Sequence, residues 1–224
     1  MTPERIAAII DHTALKPETT DRQIEQLCRE ALDYGFCTVC VNPVFVPLAG
    51  RLLYGASVKV CTVVGFPLGA SDSATKVDET RHAIDRGAQE IDMVLWVGGL
   101  KAGRLADAEQ DISEVARVCR EGDALLKVIL ECALLTDDEK RKACEICVRA
   151  GAQFVKTSTG FGPGGATAED VHLMAEAVKY AGLGVKAAGG IRTYSDALRM
   201  MEAGATRIGA SASVKIIEEA RAAQ

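Results

Sequence analysis

Eight short apolar runs alternate with helical segments along this chain, and that alternation restricts the fold more than any other feature. The runs are Ile9–Thr13, Thr38–Val41, Val58–Val64, Glu90–Trp96, Leu125–Glu131, Gln153–Thr157, Gly184–Ala188 and Arg207–Ala210. Between them, Thr20-x-x-Gln23 and Thr136-x-x-Glu139 have the form of capping boxes, and Thr167-x-x-Asp170 is a similar start. The first of these opens a helix whose stripe is Ile24, Leu27, Cys28, Ala31 and Leu32; comparable stripes are Ala108, Ile112, Val115, Ala116, Cys119 and Val171, Met174, Ala175, Val178. Gly35, Gly87, Gly151 and Gly204 each follow a helical pattern, where a left-handed residue ends it. They lie roughly 50–65 residues apart, about two strand–helix units each. Strands joined by crossover helices imply a parallel sheet, and eight units in this length predict an α/β chain forming one (β/α)8 TIM barrel over residues 1–224. An open doubly wound sheet is the alternative.

Strand parity then decides which side chains meet inside the barrel, because alternate residues face the lumen and the helices. Ile91, Met93 and Leu95 are apolar and take the helix side, leaving Glu90, Asp92 and Val94 opposite. Leu126, Val128 and Leu130 do the same and leave Lys127 and Glu131 inward. With Val155 and Val185 turned outward, Lys156 and Lys186 join Asp92 and Lys127 in the lumen. Ionisable groups are costly there unless paired, and barrel chemistry gathers at the C-terminal ends of the strands.

Lys156 and Lys186 fall on consecutive strands, so their ammonium groups are expected about 5 Å apart, one inter-strand spacing. At an effective dielectric near 20, two like charges at that distance repel by roughly 3 kcal/mol, or about 2 pK units. One of the two is therefore expected as a neutral amine near neutral pH. An amine beside a second cation is the arrangement that makes a lysine nucleophilic towards a carbonyl. The bland alternative is a buried ion network of Asp92, Glu131 and the lysines with no chemistry.

The remaining features exclude more than they assign. Net charge is −5, with 26 basic residues scattered among 31 acidic ones, so no nucleic-acid footprint is present. No run of about 18 apolar residues exists, so no membrane helix is expected, and Met1–Asp11 lacks the basic start and long apolar stretch of a secretion signal, which points to the cytoplasm. Eight cysteines include Cys37-x-x-Cys40 and Cys144-x-x-Cys147, spaced as in redox or zinc sites. The first pair lies on a strand, where the two thiols face opposite ways, and the second lies in a helix, so buried free thiols are the favoured reading. The three histidines, His12, His82 and His172, fall in different units, with His12 directed away from the lumen, and no metal site is expected.

The motifs Asp11-His12-Thr13, Cys40-Val41-Asn42-Pro43, Glu90-Ile91-Asp92-Met93, Leu126-Lys127-Val128-Ile129, Phe154-Val155-Lys156-Thr157-Ser158-Thr159-Gly160 and Val185-Lys186-Ala187-Ala188-Gly189-Gly190-Ile191-Arg192 together resemble the deoxyribose-phosphate aldolase family from end to end. The resemblance implies a metal-free class I aldolase on a TIM barrel. It would interconvert 2-deoxy-D-ribose 5-phosphate with acetaldehyde and D-glyceraldehyde 3-phosphate and need no cofactor beyond a covalent imine. It makes Lys156 the Schiff-base lysine, Lys186 the neighbouring cation that favours its neutral form, and Asp92 the proton carrier. Asp11, Thr13, Lys127 and Thr157 become supporting residues, and Cys40 borders the substrate pocket. The partners implied are a phosphorylated sugar and small aldehydes, with a homo-oligomer, dimer or tetramer, possible. Another class I aldolase or a transaldolase, and a sugar-phosphate-binding barrel without turnover, are the competing readings.

Glycines beyond the last two strands sit where barrels bind phosphate with loop amides and a helix N-terminus. Gly160, Gly189, Gly190, Gly209 and Ser211 are the expected anion ligands. Two departures from the family bear on this site. Phe161 stands where some relatives carry a lysine, and Ala212 follows Ser211 where relatives often have a second serine.

Overall fold

In the computed structural model, which describes residues 2–223, eight parallel strands close into a barrel in sequence order, β1 pairing with both β2 and β8. The strands are β1 Ile10–Ala14, β2 Thr38–Val41, β3 Lys59–Val64, β4 Glu90–Val94, β5 Leu125–Ile129, β6 Phe154–Lys156, β7 Gly184–Ala188 and β8 Arg207–Ala210. A short helix α1 (Pro3–Ala7) precedes β1. The crossovers are α2 (Asp21–Tyr34), α3 (Val46–Leu52), α4 (Ser73–Asp85), α5 (Val97–Lys101) with α6 (Leu105–Glu121), α7 (Asp137–Ala150), α8 (Ala168–Val178) and α9 (Tyr194–Glu202), and α10 (Ser213–Ala222) follows β8. The open doubly wound alternative is thereby excluded.

Local chemistry starts and stops these helices as the sequence leads one to expect. Thr20–Gln23 and Thr136–Glu139 form reciprocal capping boxes, and the Thr167 hydroxyl accepts from the Asp170 amide. Gly35 and Gly151 end α2 and α7 in the left-handed region, and Gly87 and Gly204 follow α4 and α9 with φ of +109° and +112°. The stripes of α6 and α8 pack on the barrel, with Ala175 only partly buried. On α2 the face is narrower than expected: Ile24, Leu27, Cys28 and Ala31 are buried, whereas Leu32, rotated about 100° from Ala31, is 45% exposed.

Two predicted strands run too long, each for a visible reason. β4 stops at Val94, and Trp96 instead caps α5 and packs so closely that a Cβ on Gly99 would lie 2.3 Å from its ring. β5 stops at Ile129, and Glu131 takes a left-handed φ of +55°. The Glu131 carboxylate therefore does not join the lysines of the lumen. It accepts from the amide and hydroxyl of Thr159 and so holds the loop after β6.

The apolar core lies between barrel and helices and contains Ile91, Met93, Leu126, Val128, Val155, Val185 and Ile208. A second, small cluster of Leu15, Cys40, Cys61 and Val63, with Phe66 packed against it, is separate from that core. Cys40 and Cys61 are in register on β2 and β3, so this cluster lines part of the lumen.

Candidate active site

Register brings the predicted residues together. Lys156 on β6 is paired directly with Lys186 on β7, and Asp92 on β4 with Lys127 on β5. The Asp92 carboxylate is the hub: Oδ2 accepts from Lys156 Nζ at 2.8 Å and from Lys186 Nζ at 2.7 Å, while Oδ1 accepts from Lys127 Nζ at 2.9 Å. Two ammonium groups on one oxygen cannot be farther apart than those two bonds end to end, which agrees with the 5 Å expected from strand spacing. All four side chains are buried, Lys156 being the most accessible at 3%.

A lower tier supports this hub. Asp11 on β1 faces Lys186 through Oδ2, and its Oδ1 accepts from Arg207 Nη1 at 2.7 Å. Glu90 accepts from Arg207 at 3.0 Å and meets Lys127 at 2.5 Å. Burial alone would push the Asp11 and Asp92 carboxyls up, yet three neighbouring cations in each case hold Asp11 low and Asp92 well below the ordinary carboxylate range. Burial likewise opposes charge on Lys186 and Lys127. Asp11 and Asp92 nonetheless hold Lys186 above the usual lysine range, and Lys127, which Glu90 also faces, is held well above it.

The supporting residues take distinct positions. Thr13 is partly buried opposite Cys40, its hydroxyl donating to the Asp11 carbonyl. Thr157 is fully buried and ties β6 to β7, its hydroxyl donating to the Ala188 carbonyl and accepting from the Ala188 amide. Cys61, which parity left unassigned, donates its thiol to Asp92 Oδ1 at 3.3 Å. Arg207 and Glu90 were also missed as site residues. Their signal lay in parity, since outward Ile208 turns Arg207 inward and outward Ile91 turns Glu90 inward.

Cys40, Cys61 and Asp92 converge as a metal site might, as do Asp11, Cys61 and Glu90. Lys127 Nζ, however, contacts Cys61 Sγ at 3.4 Å together with Asp92, Glu90 and Asp11, so an ammonium already supplies the positive charge those donors would offer a metal. His12 bonds outward to Glu30 and Ser213, and His82 and His172 lie on α4 and α8. The eight cysteines are free, and all but Cys37 are buried.

At the mouth, Gly160, Gly189 and Gly190 have φ of +85°, +91° and +81° beyond β6 and β7. A Cβ on Gly165 would lie 2.4 Å from the Gly189 carbonyl, and the Ala166 amide donates to that carbonyl, so the two loops are locked together. Ser158 adds a buried hydroxyl with no hydrogen-bond partner among the described residues, beside Gly189. Ser211 is exposed past β8, and Ala212 gives the start of α10 no side-chain cap, which leaves its first amides open to an anion. Gly209 differs from the other expected anion ligands. It lies inside β8 in register with Asp11 and Ala188, and a Cβ there would lie 3.0 Å from Lys186 Cε, so its lack of a side chain makes room for that lysine. Phe161 meets Phe66 edge to face at 5.3 Å and, with Pro67, Leu68, Val94 and Leu134, lines a cavity of about 220 Å³ beside the mouth.

Residues 5–218 match the model of the DeoC/LacD family aldolases. The chain is 58% identical over 215 residues to a deoxyribose-phosphate aldolase of Caldanaerobacter subterraneus subsp. tengcongensis, covering 96% of this chain and 93% of the relative. It is 56% identical to one of Clostridium kluyveri, covering 98% and 100%. Among solved structures, a putative deoxyribose-phosphate aldolase of Coccidioides immitis superposes with a TM-score of 0.96 at 46% identity, covering 99% of this chain and 87% of that one. Deoxyribose phosphate aldolase of Aeropyrum pernix, described as a unique tetramer, superposes at 0.93 with 35% identity, covering 100% and 94%. The chain belongs to the DeoC/LacD family of aldolases.

Proposed function

We propose that this chain, acting as one barrel domain over residues 1–224, is a class I aldolase that reversibly cleaves 2-deoxy-D-ribose 5-phosphate to acetaldehyde and D-glyceraldehyde 3-phosphate. One observation carries the assignment of the nucleophile. Among the described residues, Lys127, Lys156, Lys186 and Arg207 face only three carboxylates, Asp11, Glu90 and Asp92. One cation too many is buried, and a buried charge without a partner neutralises instead. Lys127 contacts all three carboxylates and Lys186 two, whereas Lys156 has only a share of Asp92 Oδ2. Lys156 is therefore the amine least committed to a carboxylate, and the one assigned as nucleophile. It is also the most open to the mouth.

The chemistry follows from that amine. Lys156 adds to the aldehyde carbon of the open-chain sugar, and loss of water gives an iminium. Removal of the proton from the 3-hydroxyl then lets the C2–C3 bond break, with its electron pair drawn into the iminium as an enamine. Glyceraldehyde 3-phosphate leaves, C2 takes up a proton, and hydrolysis frees acetaldehyde and Lys156. Asp92, bonded to Lys156 at rest, is the proton carrier, working through water. Lys127, Asp11, Thr13 and Thr157 hold this geometry, and Cys40 with Leu15 and Phe66 offers an apolar wall to the two-carbon unit. The phosphate is held by amides of Gly160, Gly189, Gly190 and Ser211, the Ser211 hydroxyl and the start of α10, with Gly209 keeping Lys186 in place.

This reading needs no metal or organic cofactor, since the imine stabilises the carbanion. It sets the enzyme in the cytoplasm, where thiols stay reduced; no helix of the described residues is long and apolar enough to cross a membrane. It also allows a homo-oligomer, as in the Aeropyrum relative. Borohydride reduction with acetaldehyde is expected to ethylate Lys156 and abolish activity, read by peptide mass mapping. Label on Lys127 or Lys186 would overturn the assignment, and so would a loss of rate in EDTA that zinc restores.

A further inference from the structure

Beneath the lysines lies a pair that touches no reacting atom. The Arg207 guanidinium reaches Glu90 with both terminal nitrogens, at 3.0 and 3.4 Å, and Asp11 Oδ1 with one, at 2.7 Å. It comes from β8 and Glu90 from β4, strands on opposite sides of the barrel, so the pair spans the lumen floor. Phe154 stacks against the guanidinium, its ring centroid 5.3 Å from Cζ. Arg207 occupies one oxygen of Asp11, and the other oxygen faces Lys186. Glu90 accepts from Arg207 on both oxygens and shares one of them, Oε2, with Lys127.

We propose, resting on the Schiff-base reading above, that Arg207 and Glu90 are positioning residues that fix the charge balance of the lumen and so leave Lys156 as the amine with no carboxylate of its own. The two floor charges act in opposite directions, so the balance holds only while both are present or both are absent. Arginine stays charged at every working pH, so it permanently claims one of the three carboxylate charges. The three lysines then share the two that remain. Remove the guanidinium, and three lysines face three carboxylates, which lets Lys156 hold its proton. Remove the Glu90 charge, and the surplus of cations doubles.

The opposite signs of these two changes make the inference testable by a pH profile. Lys156 contacts Asp92 from β4, and through it belongs to a network of charged or titratable groups comprising Glu90 from β4, Lys127 from β5, Lys186 from β7, Asp11 from β1, Arg207 from β8, and Cys40 and Cys61 from β2 and β3. Of these, only the two floor residues change in the test. A unit charge about 10 Å away at an effective dielectric near 20 moves a titration by about one pH unit.

The rate of acetaldehyde-dependent inactivation by borohydride would be followed against pH for each purified full-length variant, with the modified lysine identified by mass mapping. Arg207→Gln is expected to move the acid limb about one unit to higher pH, and Glu90→Gln about one unit to lower pH. Arg207→Lys, which keeps the charge, should leave the limb near the wild-type position, and so should the double variant Arg207→Gln/Glu90→Gln. Loss of packing alone would lower amplitudes without moving the limbs in opposite directions. Limbs that stay fixed, or that move the same way in both single variants, overturn the inference. If Arg207→Gln does not fold, the comparison passes to the remaining three: a double variant whose limb coincides with that of Glu90→Gln overturns it equally. Label on a lysine other than Lys156 in the wild type would sink the Schiff-base assignment instead, so the two failures are distinguishable.

Discussion

Replacing Lys186 with leucine isolates the electrostatic part of the mechanism. Lys156 and Lys186 donate to the same oxygen of Asp92, at 2.8 and 2.7 Å, so their charges lie about one strand spacing apart. At an effective dielectric near 20 and about 5 Å, the mutual repulsion is roughly 3 kcal/mol, or about 2 pH units of titration. Two further changes have the same sign. Asp92 Oδ2 is left to Lys156 alone, and the lumen falls to three cations against three carboxylates. Removing a neighbouring cation favours the charged form, and the acid limb must therefore move to higher pH. The variant should be about 10²-fold slow at pH 7 and recover much of that loss about two units higher. The assay is kcat/KM for cleavage of deoxyribose 5-phosphate from pH 6 to 10, with far-UV and near-UV spectra confirming the fold. A profile of wild-type shape and reduced height would refute the argument, because Lys186 would then be handling a proton and not setting a charge.

Other expectations are independent of that result. Asp92→Asn should lower kcat by roughly 10²-fold or more, and near-normal turnover would remove it from proton transfer. The phosphate preference should be real but moderate, since neutral donors and a helix end replace a lysine contact. The ratio of kcat/KM with and without the 5-phosphate should narrow in Ser211→Ala and in Gly190→Val, the latter forcing a branched residue into φ +81°; an unchanged ratio in both would displace the anion site. Away from the site, Lys76 is fully buried between α4 and α6 and donates to Asp111 at 2.6 Å and to the Val94 carbonyl at 3.1 Å. Lys76→Met alone should cost about 3–5 kcal/mol in urea unfolding, and adding Asp111→Leu should recover part of it; a single variant as stable as wild type would contradict this. Burial, opposed only in part by Glu30, holds the His12 imidazole below its ordinary value. The unfolded chain therefore binds that proton first, and stability falls as pH drops below about 6.5. His12→Gln should show a smaller fall in Tm between pH 7.5 and 5.5 than wild type does, and an equal fall would count against it.

What the sequence reveals here is what local rules control. A capping box needs four residues, so Thr20–Gln23 and Thr136–Glu139 could be read without a fold. Parity needs only neighbours on one strand, so Asp92, Lys127, Lys156 and Lys186 could be assigned to the lumen before the barrel was seen. Where the reading failed, the deciding contact is distant in sequence. Arg207 meets Glu90 only because the barrel closes, and no pattern within β8 announces the partner. Lys76 and Asp111 sit on helices where charges are ordinarily solvated, and only the packing of α4 against α6 buries them. Glu131 has the right parity for the lumen but lies two residues past the end of β5, where the left-handed turn redirects it to Thr159. Gly209 looks like a phosphate glycine by position, and its stronger constraint is the stem of Lys186 on the next strand.

The bland alternative to catalysis, a buried ion network, is answered by the same long-range contacts. A network whose task is stability gains nothing from a surplus charge, because an unpaired buried ion costs more than any one of its hydrogen bonds returns. Equal numbers of acids and bases would serve it best. Here the closure of the barrel adds Arg207 to three lysines and leaves only three carboxylates, since Glu131 is turned away. On the proposed mechanism the surplus falls on Lys156, the lysine with the fewest carboxylate contacts and the widest access to the mouth, where a carbonyl carbon can reach the amine. In that mechanism the iminium at Lys156 restores the surplus positive charge and the enamine discharges it when the C2–C3 electron pair is drawn in, so covalent chemistry and electrostatic relief occur at the same atom.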